Sequence, residues 1–382
     1  MKKLFLLLFF IASCYQISDA QNTATLDNEK VLEYYQSQRY AEAAQYLQSI
    51  YKDGVDDPKA LTQLAYANLM GGKYADAEKY YLKLYTQNPT SLPVLFSLAD
   101  INTRRGNESK AKSYYQEVIK IDSANFSAYK KLAYLTKEDI NNKKISYLLT
   151  ANRLNPIDAD IVFDLCEIYF KTGAFHKLKQ TLEPALKADS TNLRLLKIKI
   201  PLHVAEKNYP EAIKTGEQIL GYGDSSTFVL NNLGKSHFLS LDYQNALKYF
   251  LLISDKSADN ETLLYNIGMS YRGIKDYKNA IPYLQNAIKE GVSPKIATYY
   301  GLLGDSFEMT NKNDDANNAY KKGLQFENNG SLLYNIALVY ETKLNDKKNA
   351  LTYYEQYLKT IDEKQQPKLI IFIKRKIEEL KK

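Results

Sequence analysis

Few side chains in this 382-residue chain could do chemistry. The soft ligands are His176, His203, His237, Cys14 and Cys166. His203 and His237 stand 34 residues apart, so equivalent positions in neighbouring repeats would bring two imidazoles face to face. Two imidazoles without a third ligand fall short of a zinc site, and core or groove-edge histidines account for them better. Cys166 sits at a small-residue packing position and reads as a buried thiol. Gly221-Tyr222-Gly223 lacks both the dinucleotide fingerprint and the Gly-Lys-Ser/Thr ending of a phosphate loop. Asp314-Asp315 could bind a cation, but adjacent carboxylates at a helix start fit capping and the helix dipole. No nucleophile, base and electrostatic stabiliser converge, so the chain is expected to be non-enzymatic, with no catalytic residue, cofactor or metal.

The elements that would position any site must come from the rest of the sequence. Composition excludes disorder: 12% of residues are aromatic, 25% are charged and only 10 are Pro. The formal net charge of +7 is spread among interspersed acids and bases, which is a solubility and steering term rather than a nucleic-acid signature. Lys2 and Lys3 precede an apolar run from Leu4 to Ala12, the layout of an export signal too short to span a bilayer. Two processing routes stand open. Ser18-Asp19-Ala20 permits cleavage after Ala20, and Ile11-Ala12-Ser13-Cys14 permits lipidation of Cys14. Either route leaves no pair for an intramolecular disulfide, so packing must hold the fold. No other segment is apolar enough to cross a membrane.

One local pattern recurs at fixed phase: Tyr40-Ala-Glu-Ala, Tyr74-Ala-Asp-Ala, Tyr209-Pro-Glu-Ala, Tyr243-Gln-Asn-Ala and Tyr277-Lys-Asn-Ala. Tyr40 to Tyr74, Tyr209 to Tyr243 and Tyr243 to Tyr277 are each 34 residues apart, a period that marks a solenoid of supersecondary units. Within Glu261–Pro294, Leu264, Ile267, Gly268 and Tyr271 form one apolar helical stripe. Ala280, Leu284, Ala287 and Ile288 form a second after a break at Gly273–Lys275. A hairpin of helices about 14 residues long, roughly 21 Å each, is marginal alone and must bury its stripes on neighbours.

Small residues mark the close approaches. Ala65, Ala99, Ala133, Cys166, Gly234, Gly268 and Gly304 recur in first helices, and Ala43, Ala77, Ala111, Ala212, Ala246, Ala280 and Ala316 in second helices. Tyr81, Tyr115, Leu182, Phe250, Leu284, Tyr320 and Tyr354 fill the larger space. This set resembles the tetratricopeptide repeat family, most fully at Leu64-Ala65, Tyr74, Ala77, Tyr81 and Pro89. The resemblance implies an all-α, right-handed superhelical solenoid of tandem helix-turn-helix repeats. About ten units are expected over 24–363, with a capping helix over 364–382 in which Leu369, Ile370, Phe372, Ile373, Ile377 and Leu380 are apolar. Two units depart from the pattern. Unit 126–158 is one residue short, with an irregular turn expected from Thr136 to Lys144. Unit 193–226 has Lys199 in place of Leu, and Pro201 is expected to kink or end its first helix. That unit reads either as a bend or as a tolerated irregular repeat.

The resemblance further implies that first helices line a concave groove that takes a peptide or helix of a partner protein. Its candidate residues are Asn232, Lys235, Asn266, Met269, Arg272, Asp305, Glu308 and Asn335, and toward the N-terminus Tyr66, Phe96, Tyr134, Phe163 and Phe170. An Asn amide both donates and accepts, which suits a peptide backbone, while Lys235 and Arg272 suit a carboxylate. The alternative is that the asparagines bridge neighbouring helices. The family's two-Lys, two-Asn and Arg clamp for a C-terminal carboxylate is incomplete, because Thr298 and Leu302 stand where basic residues are needed. The expected function is an exported, periplasmic or outer-membrane-associated scaffold that binds an envelope protein or peptide and no nucleic acid. A carbohydrate-binding or polysaccharide-export accessory module, and a structural spacer or self-assembly element, are the alternatives.

Overall fold

A computed structural model describes residues 25–51, 54–137, 142–254, 260–291, 294–362 and 366–382. The leader reading, including Cys14, lies outside the described residues, as do residues 138–141 of the turn expected from Thr136 to Lys144. All regular structure among the described residues is α-helical. Ten hairpins follow one another: α1 Asn28–Gln36 with α2 Tyr40–Ile50, α3 Pro58–Met70 with α4 Tyr74–Gln87, and α5 Leu92–Arg104 with α6 Glu108–Ile121. Next come α7 Phe126–Leu135 with α8 Lys143–Leu154, α9 Ala159–Lys171 with α10 Phe175–Ala188, and α11 Leu193–Ala205 with α12 Tyr209–Gly221. The last four are α13 Thr227–Leu239 with α14 Tyr243–Ser254, α15 Glu261–Gly273 with α16 Tyr277–Glu290, α17 Ile296–Met309 with α18 Asn313–Leu324, and α19 Gly330–Thr342 with α20 Lys347–Leu358. A single helix, α21 Pro367–Lys381, ends the chain.

The chain forms two compact units, one running through Leu165 and the other starting at Cys166. In the first, α3 and α4 pack together, as do α5 and α6, and α2, α4 and α6 each pack on the next hairpin's first helix. The second unit repeats this scheme from α13 to α20, and α21 closes on α20. No helix among the described residues is long and apolar enough to cross a membrane.

The small-residue positions are what allow this packing. Ala65, Ala99, Ala133, Cys166 and the second-helix alanines have no exposed surface. A Cβ added at Gly234 would fall 2.6 Å from the Phe250 ring, and at Gly268 3.0 Å from Leu284. Eight of the hairpin turns are also built alike. Gln38, Gly72, Gly106, Gly173, Lys207, Leu241, Lys275 and Asn311 all adopt positive φ, between 55° and 75°, two residues before the second helix. Glycine does this freely; the side-chain-bearing residues do so at a cost of about 1–2 kcal/mol each. Three of the turns then close with a two-bond cap, the Asp carboxylate accepting twice from one Asn. The Asn245, Asn279 and Asn349 amides donate to Asp242, Asp276 and Asp346 at 2.7, 2.7 and 2.6 Å. The backbone N–H groups of the same asparagines donate to the other carboxylate oxygen. By contrast, Asp314 and Asp315 sit in the first turn of α18 without a capping hydrogen bond, so only the dipole applies to them.

Pro201 neither ends α11 nor interrupts it: the helix runs from Leu193 to Ala205. The ring removes one helical donor, yet Ile198, Ile200 and Leu202 around it are buried against neighbouring elements. Tertiary packing overrides the local penalty. At the C-terminus, α21 buries Ile370, Ile373 and Ile377, the last two against Ala337, Ala350 and Tyr354. Its opposite side leaves Ile371 and Phe372 exposed.

Candidate functional site

The candidate groove residues of the second unit sit on α13, α15, α17 and α19, and the structure divides them into two sets. The first set is tied up within the fold. Arg272, on α15, reaches α17 and donates from Nη1 to the Leu302 carbonyl and to Ser306 Oγ, both at 2.7 Å. Its Nη2 lies 3.3 Å from Asp305 Oδ2. Asp305 also accepts from the Tyr320 hydroxyl at 2.7 Å and from Asn335 Nδ2, on α19, at 3.4 Å. Tyr320 further contacts Glu308 at 3.4 Å. Arg272, Asp305, Glu308 and Asn335 therefore converge, but on one another rather than on open space.

The Tyr320 hydroxyl is the keystone of that network, and it belongs to a recurring device. Tyr320 packs with its ring against Gly304, fully buried, and its oxygen reaches the residue after that glycine. In the first unit the fully buried Tyr115 sits in the matching place and donates to Asp100, the residue after Ala99. Lys131 then approaches Asp100 from the next hairpin at 3.3 Å. In the last hairpin Tyr354 donates to Glu341 at 2.6 Å, and Lys376 of α21 meets the same carboxylate at 2.6 Å. Burial, and then the adjacent carboxylate, push all three tyrosine hydroxyls far above their ordinary pKa. Burial works to raise the Glu341 carboxyl, but the hydrogen bonds from Lys376 and Tyr354 outweigh it and hold it below the usual range.

The second set escapes the device. In the α13–α14 hairpin the ring position holds Phe250, and Lys235 follows Gly234; in α15–α16 it holds Leu284, and Met269 follows Gly268. Neither Phe250 nor Leu284 carries a hydroxyl, so the groove residue beside it is not tethered. Lys235 is exposed and makes no ion pair, while Met269 is half-buried. The half-buried side chain of Asn266 makes no hydrogen bond to the protein. Asn232 is partly engaged, its Nδ2 donating to the Phe228 carbonyl within its own helix at 2.8 Å.

The aromatic candidates are dispersed. Tyr66 is 39% exposed and meets the Tyr35 and Tyr40 rings at 5.4 and 6.2 Å. Phe96 packs edge-on against Tyr115 at 5.6 Å. Tyr134 is 47% exposed, and its hydroxyl is pushed up to about 12 by burial and then by Asp164. Phe163 is half-buried in the first unit, and Phe170 in the second meets Phe175 at 5.7 Å.

The soft ligands do not assemble. His237 pairs through Nδ1 with Asp242 at 3.0 Å and stacks on Tyr249, while both ring nitrogens of His203 lack a hydrogen-bond partner. Cys166 is buried, and burial pushes its thiol up to about 12, which makes it an inert packing group. Among the described residues no group of three or more His, Cys, Asp or Glu could hold a metal ion.

The hairpin geometry and its small-residue contacts define a helical repeat scaffold. Family models described as "Tetratricopeptide repeat" match residues 28–91 and, separately, 92–125, 261–290 and 330–361. These segments match the tetratricopeptide-repeat family. No curated protein matches the chain in sequence. Among solved structures it is similar to YrrB, described as a TPR protein with an unusual peptide-binding site, at 16% identity and a TM-score of 0.42 over 47% of this chain and 91% of that one. It is also similar to MamA from Desulfovibrio magneticus RS-1, at 18% identity and 0.41 over 44% and 93%. Human IFIT1, solved as a dimer with m7Gppp-AAAA, gives 15% identity and 0.39 over 86% and 88%.

Proposed function

We propose that this protein is a non-catalytic interaction scaffold that seats an extended peptide of a partner protein on the first-helix face of α13 and α15. Tetratricopeptide folds generally bind proteins or peptides in a groove without catalysis. The observation that carries the reading here is the split between tethered and untethered groove positions. Arg272, Asp305, Glu308 and Asn335 have spent their hydrogen bonds on the fold. Lys235, Asn266 and Met269 have not, and together they offer a cation, an amide and a soft apolar side chain. An unpaired amide can donate to a peptide carbonyl and accept from its N–H, which tolerates sequence, while Lys235 orients a carboxylate.

The N-terminal signature at Lys2, Lys3 and Leu4–Ala12 supports an exported protein of the bacterial envelope, with the partner in the same compartment. The test is affinity capture from envelope extract with wild-type protein and with Lys235→Ala/Asn266→Ala. The partner recovered by wild type is expected to disappear with the pair. Undiminished recovery by that variant would remove the assignment of the site to α13 and α15.

A further inference from the structure

We propose a second binding site, away from the groove residues: a basic-rimmed apolar cleft between α10 and α11 that takes an acidic, aliphatic segment of a partner protein. The cleft encloses about 440 Å³, inside the roughly 300–1,000 Å³ range of ligand pockets. Half-buried Leu186 is its apolar contact, over the nearly fully buried Leu182 and Leu202, and Lys187, Lys199 and His203 stand around it.

Its origin is written in the one repeat that breaks the pattern. The residue before the small position is Leu64, Leu98, Leu132, Leu165, Leu233, Ile267, Leu303 and Ile336 in eight first helices, and each is fully or nearly fully buried. In α11 that place is Lys199, only half-buried. An ammonium has replaced the aliphatic side chain that elsewhere packs into the core. His203 repeats the departure. His237, one repeat on, has Asp242 as its partner. The matching residue after α11 is Asn208, and His203 has no hydrogen-bond partner; Glu206 comes no closer than 4.0 Å. An ammonium in place of a core aliphatic and an imidazole without a hydrogen-bond partner are features that a core optimised for stability alone would not retain.

Charge settles the class of occupant. Lys187 and Lys199 form no ion pair, whereas Lys179 is taken by Glu206 at 2.6 Å. Glu183, exposed at the rim, is the one acid lining the cleft. The complement is an apolar side chain flanked by carboxylates: half-buried Leu186 meets the former, and Lys187 and Lys199 take the latter.

The experiment pans a random twelve-residue peptide display library on the full chain and measures the enriched peptides by fluorescence anisotropy. Enriched sequences are expected to place Asp or Glu beside Leu, Ile or Val. Their Kd should weaken at least about tenfold on Lys199→Leu and on Lys187→Glu, and change little on Lys278→Glu, a charge control on α16. Lys199→Leu restores the aliphatic pattern of the other repeats, so its Tm should rise by about 2–4 °C while binding is lost. Lys187 is exposed, so Lys187→Glu keeps the test valid whatever Lys199→Leu does to folding. Absence of acidic enrichment, or unchanged Kd on both variants, would overturn the proposal. Peptides that ignore Lys199→Leu but are lost on Lys235→Glu also overturn it, and leave the groove reading standing.

Discussion

Replacing Tyr320 by Phe removes one oxygen and leaves the packed ring in place, so it isolates the tether that separates the two classes of groove residue. The hydroxyl donates to the Asp305 carboxylate at 2.7 Å. A hydrogen bond to a charged group contributes about 1.5–3 kcal/mol net. Two features place the expected loss at the lower end. Asp305 keeps its contacts to Arg272 and Asn335, and its side chain is 37% exposed, so water can take the vacated position. The expectation is a loss of about 1–2 kcal/mol. Repeat arrays often unfold in parts, so the readout should be local: native-state hydrogen exchange of the α17 and α18 amides. A loss of that size accelerates their exchange roughly 5- to 30-fold. The control is Tyr277→Phe, whose hydroxyl makes no hydrogen bond. In a double-mutant cycle with Asp305→Asn, the two substitutions should be strongly non-additive. Exchange as slow as in the control, or simple additivity, would refute the tether.

Three further outcomes follow from the same structure. The raised pKa of Tyr115, Tyr320 and Tyr354 means the folded state holds these protons more tightly than the unfolded chain, whose tyrosines titrate near about 10. Their contribution is complete below that pH and is lost above it, at about 1.4 kcal/mol per pH unit for each residue. Urea titrations at pH 9 to 11.5 should show this slope, and a flat profile would contradict it. Leu241, at φ 66° and 70% exposed, should give a protein about 0.5–1 kcal/mol more stable as Leu241→Gly, because strain is relieved and no buried contact is lost; thermal melting with a lower Tm than wild type would count against the turn geometry. Cys166, buried with its thiol pushed up to about 12, should resist maleimide at pH 8 until the fold opens, whereas labelling at the rate of an exposed thiol would show the packing position misassigned.

The helices and their contact positions were legible because packing imposes a period: Ala65, Gly268 and Tyr320 recur where the same two helices meet. The fate of the groove residues was harder to read, because it depends on pairs rather than positions. Asp305 looks available on its own helix and is taken by an oxygen from the next. The signal was nonetheless present. Asp100 goes with Tyr115 and Asp305 with Tyr320, whereas Lys235 goes with Phe250 and Met269 with Leu284; the pairing is readable in those four hairpins but is not general, since Glu167 goes with Leu182 and Tyr66 with Tyr81. The Asp-x-x-Asn caps at 242, 276 and 346 were equally open to inspection, sitting one residue before a pattern already noticed at two of those sites. Pro201 misled because a local rule was applied where flanking core residues decide. Lys199 was visible as an exception, but only the packed neighbours reveal that it lines a cleft.

The central claim is that ligand contact falls on the untethered residues of α13 and α15. Site-specific incorporation of a photo-crosslinking phenylalanine derivative addresses it directly, at Met269 and, for comparison, at the turn residue Leu241. Irradiation in cells followed by mass spectrometry should give a discrete adduct with a partner peptide from position 269 and none from 241. Adducts absent at 269, or equal at both positions, would contradict the account.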